Sequence, residues 1–249
     1  MKPWNISVAV LAAAMALSAC STAGTVLEET GSVETTLVKE EPVTAGKEPV
    51  PVTTVMAPYE QTDDGERKIL IAYFTWADNT QVEDPSSIDV DATSSASVLP
   101  PGNAAKLAGW IQDEVGGDLF SIQVEEPYSS DYDVCLDRAA DEKAAGSRPA
   151  LKTHVENMDD YDVVFLGFPN WWYTLPMPVL TFVDEYDFSG KTVIPFCTHG
   201  TGGLAGTIRD LKKALPKTTK VLEPIGVYRP EVNEAQPDIQ KWVRGLALS

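Results

Sequence analysis

The sequence predicts an α/β fold in which a five-stranded parallel sheet of order 2-1-3-4-5 lies between two layers of helix. Two observations carry this. Between residues 67 and 249, five short apolar runs of strand length alternate with five stretches of helical character, the pattern of a parallel sheet with helices on both faces. Right-handed crossovers then make 2-1-3-4-5 the economical order and place the reversal of direction between the first and third strands.

Lys68 to Phe74 is the first buried strand, followed by the polar exit Thr75-Trp76-Ala77-Asp78-Asn79-Thr80. Asp84 to Pro101, dense in Ser, Asp, Thr and Pro, has no period and reads as a surface insertion. Gly102-Asn103 opens a helix whose Ala104, Leu107, Ala108, Ile111 and Val115 keep helical spacing, and Gly116-Gly117 ends it. Asp118 to Val124 is the second strand, and Tyr132 to Ala145 an exposed helix stopped by Arg148-Pro149. Tyr161 to Gly167 is the central strand. A Pro-bounded loop with Trp171, Trp172 and Tyr173 follows it, then a helix from about Pro178 to Val183. Lys191 to Cys197 is the fourth strand, with Pro195 awkward inside it, and leads through Thr198-His199-Gly200-Thr201-Gly202-Gly203 into a helix from Leu204 to Leu215. Lys220 to Tyr228 is the fifth strand, and Glu234 to Leu246 the closing helix.

Upstream of this domain the chain reads differently. The apolar run Ile6 to Leu17 is too short to span a bilayer and has the form of a signal-peptide core. It ends in Leu17-Ser18-Ala19-Cys20, which resembles the lipobox of bacterial lipoproteins, implying a leader over 1–20 and lipidation of Cys20. Residues 21–66, rich in Thr, Glu, Val and Pro, hold two basic against ten acidic residues and read as a disordered acidic tether. These features predict an extracytoplasmic domain, residues 67–249, held to a membrane by acyl chains rather than by a helix. The net charge of −18 excludes a nucleic-acid partner, and two His with three scattered Cys give no metal-ligand spacing.

In open α/β sheets ligands bind beyond the carboxyl ends of the strands. Three loops leave those ends and converge there: Thr75 with the Gly102 region, the aromatic loop, and the Gly-rich loop at His199. Aromatics after a strand also commonly roof a core. A loop His reads as hydrogen-bonded rather than catalytic, and the strand-end Cys197 as a small hydrophobe rather than a nucleophile, so no catalytic residue is assigned. Cys135 reads as packing and His154 as exposed.

Tyr73-Phe74-Thr75-Trp76, Pro127-Tyr128-Ser129-Ser130, Arg148-Pro149-Ala150-Leu151, Gly167-Phe168-Pro169-Asn170-Trp171-Trp172-Tyr173 and Pro195-Phe196-Cys197-Thr198-His199-Gly200 together resemble the flavodoxins, specifically the flavodoxin-like lipoproteins and secreted flavodoxins of bacteria. The resemblance implies a flavodoxin-like three-layer sandwich, non-covalent FMN and electron transfer. It places phosphate on a first loop split between Thr75 and Trp76 on one arc and Gly102, Asn103 and Ala104 on the other, held by helix dipole and turn amides without Lys or Arg. The ring lies against Pro169, Asn170, Trp171, Trp172 and Tyr173, with Thr198, His199, Gly200, Gly202 and Gly203 at its pyrimidine end. The implied partners are redox donor and acceptor proteins or a quinone. Two rival readings stay open: an FMN-dependent NAD(P)H or quinone reductase, and a degenerate fold serving as a non-redox binding module, motivated by the split loop and by Ala104 where a hydroxyl residue is expected.

Overall fold

A computed structural model of the chain describes residues 67–88, 97–246 and Leu248, all within a unit spanning Tyr59–Ser249. The leader with Cys20, the acidic segment to residue 66 and the middle of the Asp84–Pro101 insertion lie outside the described residues. Among the described residues, no helix is long and apolar enough to cross a membrane.

The strands are β1 (Ile69–Tyr73), β2 (Asp118–Ser121), β3 (Val163–Pro169), β4 (Thr192–His199), β5 (Lys220–Val221) and β6 (Ile225–Tyr228). The helices are α1 (Asn103–Val115), α2 (Tyr132–Ala145), α3 (Met177–Glu185), α4 (Thr207–Ala214) and α5 (Gln236–Gly245). Every pairing is parallel and the order is β2-β1-β3-β4-β5, with β6 also on β4. The period of two divides β3 between two cores. Val163 and Phe165 pack with Ile71, Leu107, Ile111 and Ile239 on the α1/α5 face. Val164, Leu166 and Phe168 pack with Phe74, Val179, Phe182 and Leu211 on the other. A strand buried on both faces is what an unbroken apolar run requires.

The expected fifth strand, Lys220 to Tyr228, is instead two short strands, and Pro195 accounts for the break. The Leu222 amide donates to the Val193 carbonyl at 3.0 Å, so odd-numbered residues of this part of β4 turn their backbone polar groups toward β5. The next ladder bond would come from residue 195, which as proline has no N–H. Pairing resumes at Phe196 with Ile225, one residue out of step with Val193 and Val221. Pro195 is thereby tolerated inside an otherwise central strand. The remaining differences are at element ends: β2 stops at Ser121, and α4 starts at Thr207 because Leu204 to Gly206 are still turns.

Candidate functional site

The aromatic loop is a tight turn. Trp171 and Thr174 exchange backbone hydrogen bonds of 3.1 and 3.0 Å, and the two residues between them, Trp172 and Tyr173, have φ of 49° and 65°. Two successive left-handed residues make the turn a type I′, a conformation that favours Asn-Gly. Side chains and backbone hold it there. Trp172 Nε1 donates to the Leu136 carbonyl at 2.9 Å, and Lys143 Nζ donates to the Trp172 carbonyl at 2.5 Å, both from α2. The Gly206 amide donates to the Tyr173 carbonyl at 3.0 Å. Thr174 Oγ1 donates to Asp210 at 2.9 Å, and the Arg209 guanidinium beside Asp210 lowers its carboxyl to about 2. Trp171 points inward, edge-on to Phe74 and Tyr128 at 5.4 and 5.2 Å between centroids. Tyr173 is 66% exposed and crosses the Gly-rich loop, where a Cβ on Gly202 would come 3.2 Å from its ring.

A cleft of about 350 Å³ opens among these loops, within the size range of small-ligand sites. Its wall contains Pro169, Asn170, Trp171, Trp172 and Tyr173 from the aromatic loop. Thr198 and His199 come from the end of β4, Gly200 and Gly202 from the loop after it, and Asn103 from the start of α1. His199 Nδ1–H donates to the Gly200 carbonyl at 2.7 Å, and its ring lies over Gly226, so the imidazole braces the Gly-rich loop. The Asn170 amide nitrogen donates to the Gly203 carbonyl at 2.6 Å, while its Oδ1 is buried without a partner. A buried acceptor left unpaired costs about 1–3 kcal/mol.

The first loop departs from expectation. Thr75 and Gly102 do meet: a Cβ on Gly102 would sit 1.9 Å from Thr75 Oγ1, so the two arcs of the split loop close on each other. Yet Thr75 and Ala104 are buried at 2% exposure and neither lines the cleft, nor does Gly203. Trp76, placed with Thr75 on the phosphate arc, borders the cleft but is 1% exposed and packed in the core, with Nε1 donating to the Ser129 carbonyl at 3.1 Å. The Asn103 amide, expected to face phosphate, donates to Ser97 Oγ at 2.8 Å. Asn79 is equally engaged, bonded to Thr75, Ile122 and Val124 backbone atoms, and Thr80 Oγ1 donates to the Tyr128 carbonyl. Asn79 and Thr80 thereby fasten the first loop to the chain leaving β2.

Sequence reasoning missed the wall supplied by α2, where Tyr132, Cys135, Leu136 and Ala139 face the cleft, and it missed Arg229. Arg229 follows β6 directly, and its position at a strand's carboxyl end was the available signal. Among the described residues, no carboxylate lines the cleft. Cys135 and Cys197 are free and buried, and burial raises both thiols, Cys135 to about 12, which makes neither a nucleophile. His154 is exposed, 3.2 Å from Glu185, and far in function from this cleft.

The flavodoxin family profile matches residues 90–245, more than half the chain. The chain belongs to the flavodoxin family. A candidate flavoprotein from Bacteroides eggerthii DSM 20697 is 30% identical, with 73% of this chain and 99% of that one covered at a TM-score of 0.54. Another from Bacteroides uniformis ATCC 8492 is 25% identical, with 72% and 98% covered at a TM-score of 0.51. No curated protein matches the chain. As a flavodoxin-family member the chain keeps the β3 and β4 loops as the open walls of its cleft and closes the β1 loop on itself.

Proposed function

We propose that this protein binds FMN non-covalently in the cleft and transfers electrons outside the cytoplasm, anchored to a membrane through lipid on Cys20. The observation that carries the reading is the convergence of the aromatic turn and the Gly-rich loop on one cleft whose buried Asn170 Oδ1 lacks a donor. A flavin ring carries N–H groups that suit such an acceptor, and it supplies one- and two-electron chemistry. The chain's own residues position and seclude it. Trp172 and Tyr173 are set by a rigid turn, Gly200 and Gly202 let backbone approach the ring, and α2 shuts out water on the side of Leu136 and Ala139. Its partners are a redox donor and acceptor, proteins or a quinone, and the subtype is the lipoprotein branch of the family.

The test is titration of the full chain with FMN while following flavin and Trp fluorescence. One-to-one binding with quenching of both is the expected outcome. Absence of binding at millimolar FMN would replace this reading with the non-redox binding module, which the engaged first loop favours. A redox titration of the complex then asks whether the flavin cycles; a flavin that cannot be reduced and reoxidised in place would remove electron transfer from the proposal.

A further inference from the structure

A second cavity, of about 340 Å³, adjoins the cleft and shares Asn103 and Arg229 with it. Among the described residues, its wall includes Lys106 and Arg229 and no carboxylate. That is unusual for a chain in which acidic residues outnumber basic ones 37 to 19. Arg229 is half-buried, with its guanidinium laid over the Gly-rich loop; a Cβ on Gly200 would lie 3.4 Å from its Cζ. Among the described residues it makes no hydrogen bond or ion pair, unlike Arg138, Arg148, Arg209 and Arg244, each of which holds a carboxylate. Lys106 Nζ donates at 2.9 Å to the neutral Asn233 Oδ1 and has no acidic partner either. Two cations bordering one cavity repel each other, and an anion placed between them would be attracted to both.

We propose that Arg229 and Lys106 hold a phosphoryl group at the edge of the cleft. The inference rests on the cofactor reading for its first source, the phosphate of FMN, and a separate phosphoester that binds beside the flavin is the second. The first loop gives the reason. With the Asn103 backbone amide on Ser97 and Thr75 closed under Gly102, two of the groups expected to carry the dianion are engaged, and side-chain cations supplement what remains at the start of α1. Arginine suits the task because its planar fork matches phosphate oxygens in pairs.

The experiment compares FMN with riboflavin, which has the same ring and no phosphate, on the full chain and on Arg229→Gln and Lys106→Gln. Circular dichroism and thermal unfolding establish that both variants fold. For the flavin's own phosphate, FMN binds more tightly than riboflavin, and each variant weakens FMN about tenfold while leaving riboflavin unchanged. The gap between the two flavins also narrows at high salt. For a separate phosphoester, the variants leave both flavins unchanged, but calorimetric binding of inorganic phosphate to the FMN-loaded chain disappears in Arg229→Gln. If the unaltered chain binds neither flavin, the cofactor reading fails, and phosphate binding to the chain, lost in Arg229→Gln, still sustains the anion site. Flavin and phosphate affinities that are the same in all three proteins overturn it.

Discussion

At the aromatic end of the cleft the backbone carries the strain, with Trp172 and Tyr173 both in left-handed conformation. At the α1 end it is the side chains that are committed, with Asn79, Thr80 and Ser97 bonded inward and Thr75 covered by Gly102. The first arrangement presents large rings outward from an over-determined turn, and strain of this kind persists where surrounding bonds fix it. The second turns its Asn79 and Thr80 side chains into the fold and offers its charge through Arg229 and Lys106. One family site is thus open through its β3 and β4 loops and self-closed at its β1 loop, so the two ends respond to mutation in opposite ways.

The α1 end breaks most easily. Gly102→Ala puts a methyl group 1.9 Å from Thr75 Oγ1 and 2.9 Å from its Cβ, with Thr75 buried and unable to swing into solvent. Overpacking of this kind costs about 1–3 kcal/mol. Urea unfolding measures it. Adding Thr75→Ala removes the hydroxyl in the closest contact, so the double variant recovers part of the loss; a single variant as stable as the unaltered chain would mean that the arcs are not locked together.

The sheet order and the first four strand positions were legible because apolar runs and Gly or Pro punctuation are local signals. The break in the fifth strand was not, since it follows from which way the missing N–H of Pro195 points, and that depends on register with Leu222. In the cleft, the aromatic and Gly-rich loops were legible for the same local reason. The burial of the first loop was not legible, because it is decided by residues far away in sequence, Ser129 for Trp76 and Gly102 for Thr75. Arg229 stands at a strand's carboxyl end, but its place beside Asn103 follows only when β6 lies next to β4.

The aromatic end should separate stability from binding. Tyr173→Asn puts a residue tolerant of left-handed backbone at φ 65° and removes a ring that is 66% exposed, so stability holds or rises by up to about 1 kcal/mol. FMN affinity falls about tenfold if the ring contributes one stacking contact. Chemical unfolding and fluorescence titration read the two quantities on the same protein. A loss of stability would show that the turn is held by the Tyr173 ring on Gly202 rather than by its backbone bonds.

The smallest effect sharpens how the turn is anchored. Asp210 accepts from Thr174 and is held by Arg209, which sets its folded pKa at about 2 against an ordinary value of 3.8. A carboxyl with a depressed folded pKa stabilises the fold fully above its unfolded value and loses that contribution as pH falls toward the folded one. Asp210→Asn therefore lowers stability at pH 7 by about 1 kcal/mol, the scale of one charged hydrogen bond at a partly exposed site. The difference from the unaltered chain should stay constant from pH 7 to about 4 and close between about 4 and 2. Thermal unfolding of both proteins across that range gives the profile. A difference that persists undiminished at the acid end would assign the effect to packing of residue 210 rather than to its charge, and the turn would then be secured by α2 through Trp172 and Lys143 instead of by α4.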